Sequence, residues 1–163
     1  MTRKTRIAFA LAATLLVPLW GGVQPASART DASVRSPAQI THALEPRIAL
    51  VIGNAQYTEE TKLTNPANDA VLISATLRKL GFDVIEVTDA EQKAMQRAIV
   101  AFGDKLLKAG PEATGLFFYA GHGLQVDGEN YLVPVDADIE RETDVDIEAV
   151  AASLVLKQMA YAN

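Results

Sequence analysis

The chain of 163 residues contains no cysteine and only two histidines, His42 and His122. The absence of thiols excludes disulfides and thioether lipid anchors, so stability has to come from packing. Two distant histidines without a cysteine also argue against a usual zinc site. Basic charge is in deficit: 15 Lys and Arg against 20 Asp and Glu leave a net charge of −5, which speaks against a general nucleic-acid binder. There is no G-x-S-x-G, the signature of a nucleophile-elbow hydrolase, and neither a P-loop nor a G-x-G-x-x-G follows the first strand pattern. No internal repeat is visible. What is present is ordinary globular composition, 49% apolar and 21% charged, enough for one domain with a modest core.

The first 28 residues read as a secretory signal peptide. Arg3, Lys4 and Arg6 form a basic start, Ile7 to Trp20 an apolar run, and Ala26-Ser27-Ala28 a small-residue cleavage site. The run is shorter than the roughly 20 residues of a membrane span. The expected location is therefore exported, periplasmic or extracellular, with no membrane attachment after cleavage. Residues 29–46 are polar, with Pro37 and Pro46, and read as a linker in which His42 is solvated. The domain begins at Arg47 and runs to the end of the sequence.

Ile48 to Ile52 is a continuous apolar run, the mark of a strand buried on both faces. Ala70, Ile73, Leu77 and Leu80 recur at helical spacing. Asn65 or Asn68 is positioned to cap that helix, and Gly81 to end it. Phe82 to Thr88 is a second strand. Asp89 is then placed to cap a second helix carrying Met95, Ile99, Phe102 and Leu106 on one face, with Gly110 past its end. Gly115 to Gly121 is a third buried strand, Asp127-Gly128 a hairpin turn, and residues 147–160 a closing helix. The alternation predicts an α/β fold with a parallel sheet and helices on its faces, its site at the carboxyl ends of the strands.

His122 stands at such an end, in Phe117–Gly123 (FFYAGHG). An imidazole titrates near neutrality and can take and give a proton. Gly121 and Gly123 let backbone approach a ligand closely, and the Gly123 N–H could face a developing oxyanion. A turn histidine bonded to backbone is the equally weighted alternative.

Four blocks, RIALVIGNAQY, LTNPANDAVLISATLRKLGF, FFYAGHG and GENYLVPVD, resemble in order and spacing the large-subunit region of the caspase and metacaspase superfamily of cysteine peptidases, over Arg47 to about Asp138. The resemblance implies a caspase-like three-layer α/β/α sandwich with a mostly parallel sheet, incomplete at its C-terminus. It implies a Cys-His dyad in which His122 is the histidine and Gly123 a backbone donor of the oxyanion hole, acting on a peptide or protein substrate. Caspases place the cysteine roughly 50 residues after the histidine, beyond Asn163. Ser153, inside the closing helix, is no substitute. The sequence thus reads as truncated before the nucleophile, with C-terminal strands or a small-subunit region still to come, and as inactive alone. The alternative is an inactive caspase-fold module that binds peptides or a partner.

The resemblance weakly implies an acidic pocket for a basic side chain, with Asp69 a possible contributor, although support of a helix N-terminus is the preferred role for it. Asp136, Asp138, Glu140, Glu142, Asp144, Asp146 and Glu148 form an acidic run. Metacaspases suggest calcium there, but the spacing is not that of an EF-hand, and a solvated loop is expected in preference to a metal site.

Overall fold

The computed structural model describes residues 45–162, so the leader, the cleavage site, most of the linker and His42 lie outside the described residues. Three strands, β1 (Arg47–Gly53), β2 (Asp83–Thr88) and β3 (Thr114–Ala120), form a parallel sheet in the order β2-β1-β3. α1 (Pro66–Lys79) connects β1 to β2, and α2 (Gln92–Ala109) connects β2 to β3. A second, antiparallel sheet comes next in the chain, ordered β4-β5-β6, from β4 (Gly123–Val126), β5 (Glu129–Leu132) and β6 (Val150–Ala151). Between β5 and β6 runs a single 3-10 turn and the short α3 (Val145–Glu148), and α4 (Ser153–Tyr161) ends the described chain.

The apolar run of β1 is explained by its central place. Ile48, Leu50 and Ile52 face one side and pack with Met95, Ile99 and Phe102 of α2 and Val155 of α4. Ala49 and Val51 face the other and pack with Ala70 and Leu77 of α1. This is the three-layer α/β/α arrangement. The α1 layer lies close because small residues meet there: a Cβ on Gly53 would fall 2.3 Å from the Pro66 carbonyl oxygen and 2.6 Å from the Ala70 Cβ. All four residues expected on the inner face of α2 are buried.

The end of α1 is set by Gly81, whose φ of 82° is left-handed. Phe82 N–H bonds Leu77 O at 3.0 Å and Gly81 N–H bonds Arg78 O at 3.1 Å, the paired bonds of a Schellman motif. The Asp127-Gly128 turn has φ of 49° and 82°, as a tight hairpin turn requires.

Several sequence expectations are corrected. Asn65 occupies the cap position of α1, but its side chain makes no capping bond. Leu80 lies past the helix and is 56% exposed, because the Schellman turn takes it off the apolar stripe. Asp89 does not cap α2. Its own φ is 49°, and its carboxylate turns back to the β1 loop, while the Gln92 N–H at the start of α2 is capped from far along the chain by Asp136 at 3.0 Å. β3 is half-buried rather than buried, since it is an edge of the parallel sheet among the described residues. The closing helix is broken into α3, β6 and α4: Ala149 is extended, and Val150–Ala151 pair with β5.

The acidic run does not converge. Asp136 caps α2, Asp144 accepts from the Arg141 N–H at 2.8 Å, and Asp146 accepts from the Tyr131 hydroxyl, pushing that phenol up to about 12. Among the described residues no three His, Cys, Asp or Glu side chains gather closely enough to hold a metal ion.

The Arg141 N–H, assisted by the guanidinium, holds the Asp144 carboxyl below its ordinary 3.8. The stabilisation is complete above the unfolded value and is lost as pH falls through the lower folded one. Melting curves of the wild type and Asp144→Asn should therefore differ at neutral pH and converge on acidification below about pH 4. A gap that stays constant down to pH 2 would sink this assignment.

Candidate functional site

The loops leaving the carboxyl ends of β1 and β3 meet on a buried amide. Asn54 is fully buried directly after β1. Its Oδ1 accepts from Ala90 N–H at 2.9 Å, and its Nδ2 donates to Val133 O at 3.1 Å, with Ala90 O and Met95 Sδ each at 3.4 Å. Asn54 N–H bonds Ala120 O at the end of β3 at 2.9 Å. Beside it, Asp89 accepts Ala55 and Gln56 N–H at 2.8 and 2.9 Å, which fixes the path of the chain toward Tyr57.

His122 is held at several points. Its N–H donates to the Tyr57 hydroxyl at 2.7 Å, and its carbonyl accepts from the Tyr119 hydroxyl at 2.8 Å and from Val133 N–H at 3.0 Å. Its ring lies on the Tyr57 ring, with centroids 4.5 Å apart and planes at 54°. Nε2 sits 2.7 Å from the Thr61 carbonyl oxygen. A carbonyl only accepts, so Nε2 carries the proton in this contact and Nδ1 keeps the basic lone pair. His122 as a residue is half-buried.

Gly121 has a structural reason separate from any ligand. A Cβ there would fall 2.5 Å from the Tyr119 hydroxyl and 2.6 Å from the Tyr57 hydroxyl. Gly123 opens β4 opposite Leu132. Because Val133 N–H bonds His122 O, the Gly123–Leu132 pair is non-hydrogen-bonded, and the Gly123 N–H turns away from β5. Asp69 is on α1. It is exposed on the first turn of α1, where its charge suits the helix N-terminus, and it is not hydrogen-bonded to His122. Ser153 opens α4, and its N–H bonds the Glu129 carboxylate at 3.2 Å.

The site also contains residues that the sequence did not mark. Thr61 acts through its carbonyl, which any residue would supply. Tyr57 and Tyr119 differ from phenylalanine only in their hydroxyls, and nothing in the sequence marks those hydroxyls as partners of the histidine turn. Burial pushes both phenols up, Tyr119 furthest, so both stay neutral donors.

Asn54→Ala would leave the Ala90 N–H without its acceptor and Val133 O with one donor fewer. It should destabilise the domain by about 2–4 kcal/mol in urea unfolding, and a loss under about 1 kcal/mol would contradict the clamp.

Comparison with known proteins places this arrangement. A profile of the peptidase C14 caspase domain matches residues 46–160. The human mucosa-associated lymphoid tissue lymphoma translocation protein 1 (Homo sapiens) is 38% identical over 91 residues, which cover 56% of this chain and 11% of that protein. Its homologue from Mus musculus is also 38% identical over 91 residues, with the same coverage. The chain thus spans about a tenth of the length of these curated relatives. With most of its length matched, and with the sheet, its flanking helices and the histidine turn in the order just described, the chain belongs to the caspase-domain family of peptidases.

Proposed function

We propose that this chain carries the histidine half of a caspase-like cysteine endopeptidase site, with His122 as general base and acid and the Gly123 N–H as an oxyanion donor. The observation that carries the reading is the Nε2 contact with Thr61 O, which reserves Nδ1 for proton transfer. In the reaction, Nδ1 takes the thiol proton and the thiolate adds to the scissile carbonyl carbon. The oxyanion is then met by the Gly123 N–H, free of the β4–β5 ladder, and by the N–H of the cysteine. The imidazolium next gives its proton to the leaving amine, and water, activated by the same nitrogen, hydrolyses the thioester.

The chain has no cysteine, so this reading requires the thiol to come from sequence outside these 163 residues. The natural place for it is a strand laid beside β3, whose half-buried edge is open among the described residues. An open parallel edge of this kind favours aggregation when left uncovered. We take Asp69 as at most a minor contributor to selection of a basic side chain, and we take the chain as exported by its first 28 residues. The absent thiol also supports a second reading, an inactive caspase-fold module that holds a peptide or partner.

The deciding experiment is to read the coding DNA past codon 163 and to assay the product of the whole reading frame on Arg- and Lys-containing peptides. A strand followed by D-A-C or D-S-C, with activity lowered about 10²–10⁴-fold by His122→Ala, is expected. A true stop with no such motif would defeat the peptidase reading and leave the binding module. Turnover by the purified 163-residue product, lost on His122→Ala, would defeat the requirement for an outside thiol.

A further inference from the structure

We propose that Tyr57 is a positioning residue for His122, acting with Tyr119 to hold the imidazole on the Thr61 carbonyl. The inference rests on the reading of His122 as the proton-transfer group, but its geometry stands independently.

The proton count of the cluster closes in only one direction. Tyr57 oxygen accepts from the His122 N–H at 2.7 Å. Tyr119 has two carbonyl acceptors, His122 O at 2.8 Å and Val133 O at 3.0 Å, and one proton to share between them. The two hydroxyl oxygens are 3.5 Å apart. With the Tyr119 proton committed to carbonyls, Tyr57 is assigned as the donor across the long 3.5 Å contact to the Tyr119 oxygen. The result is a directed chain from Tyr57 through Tyr119 to the His122 carbonyl. It grips the His122 backbone on both sides of its Cα, at the N–H and at the carbonyl.

The same Tyr57 also supplies the ring that the imidazole rests on. One side chain therefore fixes the backbone at His122 and limits rotation of its ring. Tyr57 is 2% exposed, and Gly121 has no side chain where both hydroxyls pass, so the cluster cannot shift without repacking. Charged groups that face Tyr57 are Asp89 and Glu60. Burial chiefly raises the Tyr57 phenol, and these two carboxylates add to it, so the hydroxyl stays neutral over the working range of a histidine.

The test uses Tyr57→Phe, which keeps the ring and so preserves packing, and Tyr57→Leu, which removes both elements. In the 163-residue protein labelled with ¹⁵N-histidine, the wild-type His122 nitrogens should show a single tautomer with Nε2 protonated. Tyr57→Phe should speed exchange of the His122 amide proton by roughly tenfold, because its acceptor is lost. Tyr57→Leu, where it folds, should move both ring nitrogens toward the averaged values of free imidazole. In the product of the complete reading frame, Tyr57→Phe should lower kcat by about tenfold to a hundredfold with KM unchanged. The proposal fails if Tyr57→Phe keeps the wild-type amide exchange and the wild-type kcat. If no reading-frame product shows activity, the peptidase reading fails, and the amide exchange and ring nitrogens still decide the role of Tyr57.

Discussion

The backbone of Val133 is the tie on which the site depends. Its N–H bonds His122 O at 3.0 Å, and its carbonyl takes Asn54 Nδ2 at 3.1 Å and the Tyr119 hydroxyl at 3.0 Å. One residue past β5 thus joins the ends of β1 and β3, which are adjacent in the sheet but far apart in sequence. The residues after it continue as a strap. Val135 N–H bonds Ala90 O at 3.1 Å, Val135 O accepts from Thr58 N–H at 3.0 Å, and Asp136 caps α2. Each bond is to a loop at the carboxyl end of a parallel strand, so the strap holds the whole rim of the sheet.

This explains why the second, antiparallel sheet exists beside the first. Buried polar groups cost free energy unless paired, and the three loops at the rim expose several backbone groups that no parallel ladder can reach. The hairpin returns the chain to them at the required place. The tight Asp127-Gly128 turn sets the register, Gly123 against Leu132, and that register brings Val133 opposite His122. A slip of one residue would turn the Val133 carbonyl away from Asn54. Three of the four sequence blocks that resemble the family are therefore one hydrogen-bonded unit, with the Asn54 loop, the His122 turn and the strap as its parts.

How far this was legible in the sequence depends on the range of each interaction. A continuous apolar run located β1, helical spacing located α1 and α2, and the Asp127-Gly128 turn located the hairpin, because each signal is a local demand of strand, helix or turn geometry. Gly81 was readable because its left-handed φ is a local demand. Asp89 misled because an aspartate before a helix is ordinarily a cap, whereas here its carboxylate goes to Ala55 and Gln56, some 33 or 34 positions earlier. Its place at the helix start is taken by Asp136, 44 positions later than Gln92. The closing segment has helical spacing throughout, yet Val150 and Ala151 leave the helix to pair with β5, a tertiary gain that propensity cannot register. His122 was visible through its glycines, but Thr61 was not, since its contribution is a carbonyl common to all residues.

Labour within the site is divided between orientation and chemistry. The groups that orient His122, namely the Tyr57 ring and hydroxyl, the Tyr119 hydroxyl, Thr61 O and Val133 N–H, all belong to the described residues. None is contributed by a nucleophile. The orientation of the imidazole is thus fixed by folding, before any thiol or substrate is engaged. On the proposed peptidase reading, ordering the imidazole at the moment of reaction would add an entropic cost to the barrier, and an imidazole oriented by folding avoids it. A thiol arriving beside β3 would need only to place its own sulfur. The same scaffold is compatible with an inactive module, because the bonds that orient the imidazole also tie the ends of β1 and β3 together and serve the fold whether or not a thiol is present.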